Sequence, residues 1–167
     1  MTRKLRYAIF KTNMGWFGIL GSAKGLLSIN LPQRSEQKAR QLLGDKVNGA
    51  TWSPVSFEDL VARFRTYLDG HRVTFPDKLD LSSATPFQRE VWKMTRIIPY
   101  GETRSYTWVA AQVKKAEAVR AVGQALGRNP LPIIVPCHRV LTSGGSLGGY
   151  RGGIEMKKHL LSLEASV

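Results

Sequence analysis

Short runs of aliphatic and aromatic residues, separated by glycine and asparagine, dominate the start of the chain. Three of these runs lie at residues 5–10, 16–20 and 26–31. Runs of this length with turn residues between them are typical of consecutive antiparallel strands. We therefore predict a β-meander that ends at Pro32.

Two helices are predicted after the meander. Residues 35–43 begin with a serine and are followed by a glycine, which are helix start and stop signals. In the second helix Ser56 is the predicted N-cap, and apolar residues recur at helical spacing until Gly70. Residues 71–84 are polar and contain a proline, and we predict that they form a linker.

Helix signals dominate the second half of the chain. Residues 85–88 read Thr-Pro-Phe-Gln, which combines a capping threonine, a proline at the first helical position and a glutamine three residues after the cap. Residues 105–113 and 117–126 are predicted to form two short helices joined by a tight basic turn, which is helix-turn-helix spacing. A glycine-rich loop over 144–153 and a last helix over 154–164 complete this half.

These patterns predict an α+β fold with two domains. A small αβ domain, the β-meander with helices, occupies residues 1–80, and a mainly helical domain with the helix-turn-helix occupies residues 81–167. The 167 residues include 25 Lys and Arg against 12 Asp and Glu, a net charge of +13 that is spread over both halves. Nucleic acid is therefore the leading expected partner, although a basic protein without such a partner stays open on composition alone.

Cysteine usage and hydropathy exclude several classes of protein. The chain has one cysteine, Cys137, which excludes an internal disulfide and a cysteine-rich zinc site, and its three histidines lie far apart. The basic start is not followed by the apolar segment of a signal peptide, and no stretch approaches the about 18 apolar residues of a membrane span. We expect an intracellular, cytoplasmic protein that does not associate with membranes and holds no metal.

The predicted helix-turn-helix is a candidate nucleic-acid contact. Between residues 103 and 128 there are five basic residues and one acidic residue. The second helix is rich in small side chains, which let a helix approach either a neighbouring helix or a DNA groove, and both interpretations stay open. Arg120 on this helix either inserts between bases or contacts phosphate, unless it pairs with Glu117.

Cys137 is the candidate nucleophile. A free cysteine most often fills a core, but Arg139 adds positive charge that favours a thiolate, and His138 titrates near neutral pH. Adjacent side chains in extended backbone face opposite sides, so proton transfer between Cys137 and His138 needs a turn or a bridging water. The other nitrogen of His138 needs a carboxylate, for which Glu155 and Glu164 are the candidates.

The sequence around Cys137 resembles that of the alkylguanine-DNA alkyltransferases, a family of direct-reversal DNA repair proteins. Residues 136–140 read Pro-Cys-His-Arg-Val, as in the family signature, and further matching motifs run collinearly over residues 85–164. The other motifs are Pro99-Tyr100-Gly101-Glu102, Ser105-Tyr106, Arg120-Ala121-Val122-Gly123, Asn129-Pro130, Gly148-Gly149-Tyr150, Gly152-Gly153, Lys157 and the closing Leu160-Leu161 with Glu164. The first 80 residues match mainly in layout.

The resemblance implies transfer of a methyl or other alkyl group from the O6 atom of guanine in DNA to Cys137, with the O4 atom of thymine as a second candidate donor. It implies that His138 and Glu164 activate Cys137 through water. Asn129 would hold the turn that bears the site, and Tyr106 would hydrogen-bond the flipped base. The thioether product has no good leaving group, so each molecule would react once, without a cofactor.

The resemblance also implies how DNA is bound. A monomer would bind double-stranded DNA with an alkylated guanine through the minor groove, and Arg120 would replace the extruded nucleotide in the base stack. The other expected DNA contacts are Thr103, Ser105, Ala118, Ala121, Gly123 and Arg128. The expected base pocket consists of Val140, Ser143, Gly148, Tyr150 and Arg151.

Two departures from the family pattern and three alternatives follow from the sequence. Some relatives hold zinc in the N-terminal domain with cysteines, which are missing here, so we predict no zinc. Arg151 is large where some relatives carry a small residue, which predicts poor reaction with bulky adducts such as benzyl. The alternative functions are a non-catalytic binder of alkylated DNA, a transcription factor and a cysteine hydrolase.

Overall fold

The computed structural model describes residues 4–165. The chain forms two compact units, one that ends at Leu81 and one that begins at Ser82. The first contains a four-stranded sheet with helices, and the second is mainly helical. The predicted α+β fold class is confirmed.

The sheet of the first unit contains the predicted meander and one further strand. Strands β1 (Arg6–Thr12), β2 (Gly15–Ser22) and β3 (Gly25–Ile29) pair antiparallel in succession. Strand β4 (Thr51–Trp52) pairs parallel with β1 and completes the order β3-β2-β1-β4. The meander prediction is confirmed, whereas β4 was not predicted because two residues are too short to show alternation.

Helices cover both faces of this sheet. Helix α1 (Glu36–Gln41) is capped by Ser35, whose hydroxyl accepts from the Lys38 amide, and it packs on an apolar cluster with β1 and β2. Helix α2 (Glu58–Leu68) covers the other face, where Phe64 contacts the stacked rings of β1 and β2. The predicted Ser56 cap is wrong, because Ser56 lies in a 3-10 turn and its hydroxyl pairs with that of Ser53.

The predicted linker is in part a packed segment of the first unit. Arg63 binds Asp77 through two hydrogen bonds of 2.8 and 2.7 Å, and its guanidinium lies over the Phe75 ring. The Leu26 amide donates to the Lys78 carbonyl at 2.8 Å. The linker prediction is therefore wrong for residues 75–80, because polar residues here form specific pairs instead of facing solvent.

The second unit is built from four helices and two very short strands in its described part. Helix α3 begins with the predicted capping box of Thr85 and Gln88, which is confirmed. The elements of this unit are α3 (Pro86–Arg96), β5 (Arg104–Ser105), α4 (Tyr106–Gln112), α5 (Val119–Gly127), β6 (Val140–Leu141) and α6 (Ile154–Ala165).

Helices α4 and α5 form the helix-turn-helix, and the short strands β5 and β6, which were not predicted, connect it to the segment after Cys137. Helices α4 and α5 pack on each other, and the turn between them contains Lys114 with φ +60°. Helix α5 begins at Val119, two residues later than predicted. Parallel pairing of β5 with β6 joins the start of α4 to the segment that follows Cys137. Within residues 4–165 no helix combines the length and the apolar composition needed to span a membrane.

Candidate active site

Cys137 lies in a turn that the backbone builds around it. Pro136 precedes a 3-10 turn of three residues, and the Arg139 amide donates to the Pro136 carbonyl at 2.9 Å. Cys137 is buried, with 8% of its surface exposed. The turn removes the strict alternation of an extended strand, so Cys137 and His138 are not forced to opposite sides.

Asn129 holds the segment that leads to the cysteine. Its Nδ2 donates to the Val135 carbonyl at 2.9 Å and to the Cys137 Sγ at 3.3 Å, while its Oδ1 accepts from the Leu131 amide at 2.9 Å. The enclosed loop contains Ile133 with φ +75°, a conformation that costs a residue with a Cβ about 1–3 kcal/mol. The Asn129 side chain therefore both stabilises the strained loop around Ile133 and contacts the sulfur.

Glu164 is the carboxylate that reaches His138. Its Oε2 lies 2.5 Å from His138 Nε2, and its Oε1 accepts from the Gly101 amide at 3.0 Å. The other candidate, Glu155, is exposed and faces Lys158. If Nε2 carries the proton donated to Glu164, then Nδ1 carries the basic lone pair of the ring.

Arg139 acts on Glu164 instead of on the cysteine. Its Nε and Nη2 donate to the Glu164 carboxylate at 2.8 and 3.2 Å, and its Nη1 donates to the Ile98 carbonyl at 2.7 Å. The expectation that Arg139 supplies the charge that favours the thiolate is therefore wrong. The cation whose charge favours the thiolate is Lys157.

Lys157 is a buried cation to which sequence reasoning assigned no role. It has no exposed surface, and its Nζ donates to the carbonyls of Val140, Leu147 and Gly149 at 2.7, 2.5 and 3.2 Å. These bonds tie α6 to β6 and to the glycine-rich loop. A signal was present in the sequence, since Lys157 and Glu164 share one helix face with Leu160 at i, i+3 and i+7.

Burial dominates the protonation states at the site. Burial raises the pKa of the Cys137 thiol, while the Asn129 hydrogen bond and the Lys157 charge oppose that rise. Burial also lowers the pKa of His138; Glu164 raises it, and Arg139 and Lys157 lower it further. At neutral pH the site therefore rests as a neutral thiol beside a neutral imidazole, which is a base able to accept the thiol proton.

The expected base-pocket residues fall into two groups. Val140 is buried, Tyr150 carries a buried hydroxyl whose pKa is raised by burial and by the Cys137 charge, and Gly148 lies against the Tyr106 ring. The Ser143 hydroxyl pairs with that of Thr107 at 2.8 Å. Arg151 is exposed.

Tyr106 is the first residue of α4 in the helix-turn-helix, and its side chain contacts the glycine-rich loop. Its hydroxyl donates to the Gly149 carbonyl at 3.5 Å, and the Lys157 Nζ lies 5.7 Å from its ring centre. Burial raises the pKa of Tyr106, and the charge of Cys137 raises it further. The phenol is therefore protonated at neutral pH and can act as a hydrogen-bond donor.

The expected DNA contacts lie on and beside the helix-turn-helix. Arg120 is exposed and makes no ion pair with any residue between 4 and 165, so pairing with Glu117 is not found. The Ser105 hydroxyl caps α4 by accepting from the Trp108 amide at 2.9 Å. Thr103 and Arg128 are exposed, and Ala118, Ala121 and Gly123 are half-buried. In residues 4–165 no three His, Cys, Asp or Glu side chains are grouped so that they could hold a metal ion.

Comparisons with known proteins identify the family. The model of the 6-O-methylguanine DNA methyltransferase DNA-binding domain matches residues 86–166. A methylated-DNA–protein-cysteine methyltransferase of Mycolicibacterium paratuberculosis is 37% identical over 160 residues, covering 96% of this chain and 92% of the relative. An inducible enzyme of the same name from Bacillus subtilis is 49% identical over 107 residues, covering 64% of this chain and 59% of the relative.

Solved structures agree with the sequence relatives. The crystal structure of Mycobacterium tuberculosis OGT in complex with DNA is 40% identical, with a TM-score of 0.81 over 96% of this chain and 93% of that one. The O6-methylguanine-DNA methyltransferase of Pyrococcus kodakaraensis is 25% identical, with a TM-score of 0.69 over 96% of this chain and 98% of that one. The chain therefore belongs to the methylated-DNA–protein-cysteine methyltransferase family, which confirms the function predicted from the resemblance: direct-reversal DNA repair by alkyl transfer to a cysteine.

Proposed function

We propose that Cys137 is the alkyl acceptor in this repair reaction. Its sulfur attacks the alkyl carbon on the O6 atom of guanine, the carbon–oxygen bond breaks, and a thioether forms on the protein. The observation that carries this assignment is the setting of Cys137: the Asn129 Nδ2 contacts its sulfur at 3.3 Å, and the next residue of the same 3-10 turn, His138, is paired with the buried Glu164. A thiolate is the softest nucleophile that a protein offers for attack on an sp³ carbon.

His138 and Glu164 form the proton-accepting part of the site. His138 takes the thiol proton through a bridging water, and the Glu164 carboxylate stabilises the resulting imidazolium. Arg139 and the Gly101 amide hold the carboxylate in place for this role. Tyr106 donates a hydrogen bond to the base, which helps the guanine to leave once its oxygen has lost the alkyl group.

The helix-turn-helix delivers the damaged nucleotide to this site. An alkylated oxygen inside a duplex cannot be reached by the sulfur, so the nucleotide must be turned out, at a cost of a few kcal/mol. Arg120 fills the gap in the stack, and the small side chains of Ala118, Ala121 and Gly123 let α5 approach the minor groove. Contacts from Thr103, Ser105 and Arg128 to the backbone complete the footprint.

The flipped base enters a pocket next to Cys137. Val140, Ser143, Gly148, Tyr150 and Arg151 line this pocket in our proposal. We place the reaction in the cytoplasm, at the nucleoid in a prokaryotic cell, because the substrate is DNA. The protein acts as a monomer and needs neither metal nor cofactor, since attack, proton transfer and departure of guanine use only its own side chains.

The experiment that tests this proposal is alkyl transfer from a defined duplex. The protein is incubated with an oligonucleotide duplex that contains O6-methylguanine, and the peptide with Cys137 is measured by mass spectrometry. We expect that peptide to gain one methyl group and Cys137→Ser to gain none. Binding of the duplex without any gain at Cys137 would instead support the non-catalytic lesion binder.

A further inference from the structure

A stack of one cation and two aromatic rings lies on the side of the sheet that α1 covers. The Arg40 guanidinium lies 5.6 Å from the centre of the Tyr7 ring. The Tyr7 and Trp52 rings meet edge to face at 5.3 Å, because the β1–β4 register places these two residues opposite each other. We call these three residues the α1-side stack. Trp52 ends it and is 49% exposed.

Positive charge is concentrated in the segment of the chain that contains this stack. Residues 4–55 contain eight Lys and Arg against two Asp and Glu, a net charge of +6, whereas residues 56–81 contain four against five, a net charge of −1. Helix α1 lies in the basic segment, and α2 lies in the segment with a net charge of −1. Four cations of the basic segment, in α1 or close to it along the chain, are exposed and make no ion pair within residues 4–165: Arg34, Lys38, Arg40 and Lys46.

An exposed aromatic ring in a segment with unpaired cations is a combination that fits single-stranded nucleic acid. A single exposed apolar side chain needs no explanation, but Trp52 continues a stack whose other end is a guanidinium. Proteins that hold single-stranded nucleic acid combine a basic surface for the phosphates with an aromatic ring on which a base stacks. A paired duplex keeps its base faces covered, so the free side of the indole favours a single strand.

We propose that the α1-side stack is a second nucleic-acid site, which binds single-stranded DNA. A base stacks on the exposed side of Trp52, and neighbouring phosphates contact Arg40 and Lys38. The contact is tolerant of sequence, because every base has an aromatic face. The site contains none of the residues assigned to alkyl transfer, so it goes beyond the proposed function and neither depends on the other.

Binding of a fluorescein-labelled oligothymidine to the full chain tests this site by fluorescence anisotropy. We expect Trp52→Ala to weaken binding roughly fivefold or more, and Trp52→Tyr, which keeps a ring, to restore most of it. Arg40→Gln should reduce the slope of log K against log salt by about 0.7, because one phosphate of the single strand is no longer neutralised. Lys78→Gln makes the same change of charge at an exposed residue of the less basic segment and should have little effect.

Two further measurements separate this site from instability and from the repair site. Thermal unfolding and methyl transfer to a duplex should be close to wild type in Trp52→Tyr. In the wild-type protein, photo-cross-linking with 5-iodouracil in a single strand should label the peptide with Trp52, whether or not the alanine variant folds. The proposal is wrong if all cross-links map to residues 82–165, if Trp52→Ala binds as wild type does, or if Lys78→Gln weakens binding as much as Arg40→Gln.

Discussion

Arg139→Met tests how the buried carboxylate controls the histidine. The substitution keeps an unbranched apolar side chain of similar length but removes the donors to both oxygens of Glu164 and to the Ile98 carbonyl. Both partners of this ion pair are buried, with 9% and 2% of their side chains exposed. Glu164 then keeps the His138 and Gly101 donors but has lost the guanidinium.

The expected loss of stability is large. Removal of one partner from a buried ion pair costs about 3–5 kcal/mol, because the other charge stays buried. For a unit of this size each kcal/mol lowers the melting temperature by about 4–8 °C, so the helical unit should melt at least about 12 °C earlier. Arg139→Lys keeps the charge but not the two-pronged geometry, and we expect it to lie between Arg139→Met and wild type.

The same substitution should change the pH dependence of the reaction. The Arg139 charge helps to lower the pKa of His138, so its removal raises that pKa and leaves more imidazolium, which cannot accept the thiol proton. The acid limb of the methyl-transfer rate should therefore move to higher pH in Arg139→Met and stay near its original position in Arg139→Lys. Single-turnover rates between pH 5 and 8, with circular dichroism melts, measure both effects. An unchanged melting temperature and an unchanged pH profile in Arg139→Met would refute the reasoning.

Four further predictions address stability, the loop and the pocket. Burial lowers the pKa of His138 from 6.5, so the unfolded state binds a proton at this histidine more readily than the folded state does. The free energy of unfolding should therefore be highest above pH 6.5 and decrease as the pH falls below 6.5, which urea titrations at several pH values will measure. Gly148→Ala should lower the free energy of unfolding by about 1–3 kcal/mol, because Gly148 has φ +67° and a Cβ there would lie 3.0 Å from the Tyr106 hydroxyl. The control is Gly144→Ala, which has open space around it and should have the melting temperature of the wild type. Lys157→Met should leave three carbonyls without their donor and speed hydrogen exchange in residues 147–149; unchanged exchange would contradict the anchoring role. Arg151→Ala should raise the ratio of benzylguanine to methylguanine reaction rates, and an unchanged ratio would show that Arg151 does not restrict the adduct.

Local signals in the sequence predicted much of the fold. The capping box at residues 85–88 depends only on neighbours along the chain, and its bonds form as expected. Ser56 does not cap α2, because its hydroxyl pairs with the hydroxyl of Ser53, and the hydrophobic pattern of the helix does not reveal this contact. The two-residue strands β4, β5 and β6 depend on partners far away in the sequence, so no local pattern could indicate them.

The sequence named residues that the structure brings together around Cys137, but it did not predict all of their contacts. The sequence left Glu155 and Glu164 as the two candidates for the carboxylate that pairs with His138, and only the fold of α6 shows that it is Glu164. Arg139 was assigned to the thiolate because it is close in sequence, yet the 3-10 turn directs it to Glu164. A buried lysine runs against the usual preference of that residue for solvent, so Lys157 was assigned no role although its helix spacing placed it with the core.

The stoichiometry of methyl removal tests the central claim most directly. A fixed amount of protein is titrated with increasing duplex that carries O6-methylguanine, and the methyl groups lost from the DNA are counted after the reaction has stopped. The account predicts a plateau at one methyl group per protein molecule, all of it recovered as S-methylcysteine at position 137. Continued removal of methyl groups beyond that plateau, or recovery of the methyl group anywhere other than Cys137, would contradict it.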